Sequence, residues 1–343
     1  RRSPSMKAAP ALRDLARRLS LGRAALTLYH RPVGLVRQSI AEGGPWEQRR
    51  TEMGRREMME AARALPPFDP PAVDLGARVI FLSGAQYWYQ TLFCFASLQR
   101  QMPERVTPVI HDDGTLAEET RALLRRVVPW VEFIDCALVN ERLDRLLPAA
   151  SYPSLRDRRL KYFHLRKLTD IHVCASGWTL VMDSDMLCFR RPDALLAWFR
   201  RPHATFMQDV HKSYGYSDEL MSALATGPVP ERVNVGLYAV HSPSIDWARV
   251  EYNCRRQIEQ EGPHYLQEQA LTALVLSGFD AKPLPEADYV VMPSLAEGRT
   301  PRAVFHHYVA QSKRSYFQHG WRHVVKLLES RAGLVRAHQS IGA

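Results

Sequence analysis

From about residue 77 onward, short apolar runs alternate with segments whose apolar residues recur at helical spacing. Ala77 to Leu82 is a β-branched apolar run, Ser83 and Gly84 turn the chain, Tyr89 to Arg100 fits a helix, and Arg105 to His111 fits a second strand. That order predicts a parallel βαβ unit. The pattern continues with a helix over Leu116 to Val127 and a strand at Val131 to Ile134. One long helix is predicted from Leu155 to Cys174, with Leu160, Phe163, Leu168, Ile171 and Cys174 as its buried stripe, leading into a strand at Trp178 to Met182. Further strands are predicted at Ala204 to Gln208, Val233 to Val240 and, last, Tyr289 to Met292, with helices at Asp193 to Phe199 and Tyr265 to Leu276. Upstream, residues 8–65 read as helical through Leu12, Leu15 and Leu19, with breaks at Pro32, Gly43, Gly44 and Pro45. A Pro-rich linker from Pro66 to Pro71 closes that segment. The expected fold class is α/β, a mostly parallel sheet flanked by helices, behind a helical N-terminal appendage.

The chain of 343 residues is 46% hydrophobic and 24% charged, a balance that excludes wholesale disorder. No apolar run approaches the roughly 18 residues of a membrane-spanning helix, and the basic start is not followed by an apolar block of signal-peptide type. The five cysteines are far apart with no CxxC pair, so buried thiols in a cytoplasmic protein are expected. Charge sharpens the picture. Residues 1–57 hold thirteen Lys/Arg against five Asp/Glu, most of the net charge of +10. Such a segment can contact anionic lipid, nucleic acid or phosphorylated glycans, so peripheral attachment at the inner face of a membrane is one expectation. Nucleic acid fits less well, because no aromatic RNA-binding pattern is interleaved with the basic residues.

The sharpest chemical feature is Asp183-Ser184-Asp185, which ends the apolar strand Thr179 to Met182. In an open α/β sheet, ligands bind beyond the carboxyl ends of strands. Two carboxylates two residues apart at such an end can converge on one hard divalent ion, which in turn neutralises a diphosphate. The apolar return Met186-Leu187-Cys188-Phe189 and the helix after Arg190-Arg191-Pro192 give the triplet a structured setting.

With these residues in view, the sequence resembles the family 8 glycosyltransferases, the group that contains glycogenin and the lipopolysaccharide galactosyltransferases and whose fold is called GT-A. The resemblance runs over roughly residues 77–321. Val79 to Tyr87 resembles the strand and loop around the nucleotide base, which implies donor contacts for Ser83 and Tyr87. Lys167, on the helix before the Asp-Ser-Asp strand, resembles the family's lysine, and Ser184 lies within the triplet itself. Val233-Asn234-Val235-Gly236-Leu237 resembles the family's Asn-Ser-Gly strand, and Glu268-Gln269 falls where many members carry Asp-Gln. His307 followed six residues later by Lys313 resembles the family's histidine and lysine. Three departures stand out: Ala310 replaces a usual glycine, Glu268 replaces an aspartate, and Arg314-Ser315-Tyr316 replaces a Pro-Trp.

The resemblance implies a mixed, mostly parallel GT-A sheet over residues 72–322, after a basic appendage and linker at 1–71 and before a helical tail at 323–343. It further implies a retaining hexosyltransferase that uses a UDP-sugar donor and Mn²⁺ or Mg²⁺ held by Asp183, Asp185 and His307. Ser83, Tyr87, Lys167, Ser184, Asn234 and Lys313 would bind the donor, and Asp209, Glu268 and Gln269 would line its reacting face. The acceptor, a glycan, lipid-linked glycan or protein, is expected near the stretch 210–232 with Tyr214 and Tyr216, and a homo-oligomer is compatible. Two other readings remain: nucleotidyl transfer on a related sheet, disfavoured by a first loop poor in glycine and charge, and a basic nucleic-acid-binding protein.

Overall fold

The computed structural model describes residues 43–329. The leucine-rich segment around Leu12, Leu15 and Leu19, and the tail beyond 329, lie outside the described residues. Contacts divide the chain into residues 1–53 and residues 54–343, a boundary that falls inside helix α1 (Pro45–Ala64). Of the first unit the described part is the opening of α1, where Trp46 and Met53 are exposed. The second unit holds everything that follows, and Met58, Ala62 and Leu65 belong to its core.

Strand β1 (Asp74–Ser83) opens the sheet and is followed by α2 (Trp88–Gln101), β2 (Arg105–Asp112), α3 (Glu118–Val127) and β3 (Glu132–Ile134). Three helices come next, α4 (Cys136–Leu146), α5 (Pro153–Lys161) and α6 (Leu165–Cys174), before β4 (Trp178–Met182) and β5 (Met186–Cys188). Then follow α7 (Asp193–Arg200), β6 (Thr205–Gln208), α8 (Asp218–Leu224), β7 (Val233–His241), α9 (Trp247–Glu261), α10 (Gln267–Leu276), β8 (Lys282–Pro283), β9 (Tyr289–Val291), α11 (Leu295–Arg299) and β10 (Phe305–His307). The main sheet has the order β3-β2-β1-β4-β7-β6-β8, in which β7 alone runs antiparallel to its neighbours. A second sheet has the order β5-β10-β9. This is the mixed, mostly parallel sheet flanked by helices expected of a GT-A protein.

Alternation along the central strands explains the layers. Val79 and Phe81 of β1, Leu180 and Met182 of β4, and Leu237 and Ala239 of β7 enter one core, while Ile80, Val181, Tyr238 and Val240 enter the other. Successive side chains of a strand point to opposite faces, so a sheet covered on both sides needs continuous apolar strands. Helix α2 is buried from Trp88 to Gln99 because it packs against β1, β2 and β5.

Three expectations need correction. The long helix over Leu155 to Cys174 is two helices, broken at Tyr162, whose φ −137° and ψ 98° are extended. The break resets the helical phase: Leu168 and Ile171 are buried and Cys174 half-buried, but Leu160 and Phe163 face solvent. Tyr289 to Val291 is not the last strand, because β10 pairs with both β9 and β5. Of the cysteines, all free, Cys94, Cys188 and Cys254 are buried but Cys136 and Cys174 only half-buried. Among the described residues, no helix is long and apolar enough to cross a membrane.

Candidate active site

Asp183 and Asp185 sit where β4 ends against β7, and the backbone N–H of Asp183 donates to the Gly236 carbonyl at 2.7 Å. The chain turns at once into β5, on which β10 lies antiparallel with His307 opposite Met186. The N–H of Tyr308 donates to the Asp185 carbonyl at 3.0 Å, so the register holds β10 against the acidic turn. Ligand atoms of Asp183, Asp185 and His307 thereby gather within 4.8 Å of one another.

The hydrogen bonds around His307 select one tautomer. Gly236 N–H donates to Asn234 Oδ1 at 2.9 Å, which marks that atom as the oxygen. His307 Nδ1 lies 2.8 Å from the same oxygen and must therefore carry the proton. Nε2 is the ring nitrogen that faces the acidic pair. It stands 3.3 Å from Asp185 Oδ1 and 3.6 Å from Asp183 Oδ2, yet it has no hydrogen-bond partner. A buried ring nitrogen without a hydrogen-bond partner, set between two carboxylates, offers with them a place for a cation. Oxygen-rich coordination with one imidazole suits Mn²⁺ or Mg²⁺, so the residues present fit a divalent ion. Gly236 makes room for the ring: a Cβ there would stand 2.2 Å from His307 Cε1 and 2.8 Å from Asn234 Oδ1.

Two lysines flank the acidic pair. Lys167 Nζ donates to Asp183 Oδ1 at 2.8 Å and stands 3.8 Å from Glu268, while Lys313 pairs with Asp185 Oδ2. Lys167 is buried rather than a surface lysine. Burial opposes its charge, but Asp183 and then Glu268 outweigh it and hold the pKa above the ordinary lysine value. Burial likewise pushes the Asp185 carboxyl up, but Lys313 and His307 prevail and hold it well below the usual range. For Glu268 burial wins, with Lys167 opposing and Asp183 adding, and the carboxyl is pushed up to about 7. Its Oε1 has no hydrogen-bond partner.

Asn234 joins this cluster to the other candidates. Its Nδ2 donates to Asp209 Oδ2 at 3.1 Å, and Gln269 Nε2 reaches the same oxygen at 3.3 Å. The Ser83 hydroxyl is 2.7 Å from that of Thr91, which is 2.8 Å from that of Ser184, so both serines lie in a buried hydroxyl chain behind the acidic turn. Tyr87, 37% exposed, stands just before α2, and burial raises its hydroxyl pKa against the opposing charge of Lys313. His306 faces away from His307, as alternation along a strand requires, but is buried too, between Glu297 and the Tyr308 hydroxyl. Ala310, where the resemblance expects glycine, adopts φ +47°, the left-handed conformation that glycine takes without strain.

The stretch 210–232 differs from expectation. Tyr214 and Tyr216 are buried, their hydroxyls donating to the carbonyls of Pro230 and Gly262. Their rings pack in the core rather than face an acceptor. Thr91 was not among the sequence candidates; a threonine four positions after Tyr87, in the first turns of a buried helix, is the signal that marks it. Tyr162, His164 and Tyr265, which form ring contacts with one another, were also missed, hidden by the reading of one continuous helix.

No family model matches the sequence, and no curated protein matches it. Solved structures similar to this chain include mouse xyloside xylosyltransferase 1, at 11% identity over 67% of this chain and 97% of that one, with a TM-score of 0.46. The galactosyltransferase LgtC, in complex with donor and acceptor sugar analogues, is 14% identical over 74% of this chain and 95% of that one, with a TM-score of 0.49. The glycosyltransferase GlyE of Streptococcus pneumoniae TIGR4 is 12% identical over 75% of this chain and 64% of that one, with a TM-score of 0.42.

Proposed function

We propose that this protein is a metal-dependent, retaining glycosyltransferase that moves a hexose from a UDP-sugar to a glycan acceptor, free, lipid-linked or on a protein. The observation that carries the reading is the gathering of His307 Nε2, buried without a hydrogen-bond partner, with the carboxylates of Asp183 and Asp185 at the end of strand β4. Asp183, Asp185 and His307 would hold Mn²⁺ or Mg²⁺. When bound, the ion supplies positive charge against the diphosphate.

The remaining tasks fall to side chains of this chain. In the reaction the bond from the sugar C1 to the diphosphate breaks, a bond from C1 to an acceptor oxygen forms, and the acceptor proton leaves with the diphosphate. Lys313 adds a point charge for the departing phosphates, and placing that charge before the reaction avoids the cost of reorganising water. Lys167 holds Asp183 in place through its hydrogen bond. Asp209, fastened by Asn234 and Gln269, lines the donor's reacting face together with Gln269 and Glu268. Tyr87 stacks on the base, while Ser83, Ser184 and Asn234 support the donor loop and the acidic turn. The basic segment 1–57 serves peripheral membrane contact where the acceptor is lipid-linked.

The test is a donor screen without acceptor, reading UDP release from each nucleotide sugar with Mn²⁺ and with chelator. Chelator-sensitive hydrolysis of one UDP-hexose is expected. Release that ignores chelator, or no release from any UDP-sugar, overturns the reading.

A further inference from the structure

We propose that Tyr265, with Tyr162 and His164, forms a stacking platform for a pyranose ring of the acceptor glycan. This inference rests on the glycosyltransferase reading and names the acceptor chemistry. The three rings form a closed triangle with centroid separations of 5.3 Å, 6.4 Å and 5.4 Å. Tyr265 is 68% exposed and Phe163, next to Tyr162 in the chain, is 42% exposed. An exposed ring backed by two others offers an apolar face that a ligand can cover.

The platform is ordered in advance. The Tyr162 hydroxyl donates to the Tyr265 carbonyl, and the Arg158 guanidinium lies 4.4 Å from the Tyr162 ring. Arg158 also donates to Gln267 Oε1 at 2.6 Å and to the His264 carbonyl at 3.0 Å, which fixes the loop before α10. That loop leads within three residues to Glu268, and His164 stands one helical turn before Lys167. The platform therefore borders the reacting centre on its Lys167 and Glu268 side, and Tyr265 is near enough to Tyr87, which also faces Lys313 and Asp185, for their hydroxyls to act on each other.

The chemistry of the surface chooses the occupant. A pyranose has one face of C–H hydrogens with small positive charge, which settles on the negative face of an aromatic ring, and hydroxyls around its edge. The imidazole nitrogens of His164 and the Arg158 guanidinium over the Tyr162 ring place polar groups at that edge. A lipid tail would find too little unbroken apolar surface among them. Because Tyr214 and Tyr216 are turned into the core, the acceptor aromatics lie here and not in the stretch 210–232.

The experiment measures binding of methyl β-galactopyranoside, methyl α-glucopyranoside and lactose by saturation-transfer NMR, and separately titrates UDP with Mn²⁺. Tyr265→Ala should weaken binding of the preferred glycoside about tenfold while the affinity for UDP changes less than twofold, and Tyr265→Phe should restore glycoside binding. A parallel loss of UDP affinity would mean the platform takes the nucleobase, which overturns the proposal. Unchanged glycoside binding in Tyr265→Ala overturns it as well, as does failure of the unaltered protein to bind any of the three sugars. The glycoside measurement uses no UDP, so failure of UDP to bind with Mn²⁺ tells separately against the function proposed above.

Discussion

Two buried histidines in this molecule meet opposite fates. His172, on α6, has both ring nitrogens engaged: Nδ1 is 2.7 Å from the Ser242 hydroxyl and Nε2 is 3.0 Å from the Tyr238 hydroxyl, while Ser242 continues to Thr179 at 2.6 Å. His307 has one nitrogen engaged and the other facing two carboxylates with no bond. Burial alone does not separate them, since both are 2% exposed. Satisfaction does. A polar network in which every member is paired specifies a core, whereas one buried member left unpaired costs about 1–3 kcal/mol and, where it faces two carboxylates, suits a cation.

The strongest way to break this contrast is at the carboxylates. Asp183→Asn or Asp185→Asn should lower UDP release at least about 10³-fold with Mn²⁺ present, because each removes both charge and a ligand atom, while the thermal midpoint stays within a few degrees. Near-normal turnover in either variant would make the site structural, like that of His172. The satisfied network should behave in the opposite way. His172→Ala should cost about 3 kcal/mol by stranding the Tyr238 hydroxyl, read as a lowered urea midpoint, with Mn²⁺ affinity unchanged.

The two regions should also differ in pH dependence. Burial lowers the pKa of His172 to about 3, so between pH 3 and 6.5 the unfolded chain binds the extra proton and this network's stability is lost as pH falls. Glu268 is an acid pushed up to about 7, so between pH 4.5 and 7 the folded chain binds the extra proton and its contribution is lost as pH rises. Glu268→Gln should therefore match the unaltered protein near pH 4.5 and exceed its stability by about 2–3 kcal/mol at pH 8. Urea titrations at the two pH values check the sign, and a variant less stable at pH 8 would show that the Lys167 pairing outweighs the burial of Glu268.

A smaller effect sharpens the comparison from beside the site. Gly236→Ala would drive a methyl group into the His307 ring and should weaken Mn²⁺ binding about 10–100-fold, as loss of a supporting group around a metal does. The smallest effect is expected at Ala310→Gly, where relief of the left-handed backbone should raise stability by about 0.5–1 kcal/mol, seen as a slightly higher melting temperature.

Much of this could be read from the residues in order, for reasons that particular elements make plain. The strands β1 and β4 are legible because both their faces are covered, which leaves unbroken apolar runs ended by Ser83 and by the Asp-Ser-Asp turn. The 16 positions from Lys167 to Asp183 bring the lysine and the carboxylate into a 2.8 Å contact, but that the lysine would be buried was not legible, because its neighbours come from α10. The break at Tyr162 was missed since no proline or glycine marks it. The tautomer of His307 depends on Asn234, 73 positions away, and no local pattern records that contact. α9, from Trp247 to Glu261, was likewise not anticipated, although Asp246 caps it by accepting from Arg249 N–H.

The antiparallel seating of β10 on β5 has a consequence for the birth of the protein. Asp185 and the lysine that pairs with it, Lys313, are 128 positions apart. At about 5–20 residues per second, the two carboxylates leave the ribosome on the order of ten seconds before the histidine that completes their set. During that interval the nascent chain carries an acidic turn without its imidazole or its second lysine. On the proposed function, acquisition of an ion would be tied to the closing of the last strand, and metal content would count the molecules that have finished folding.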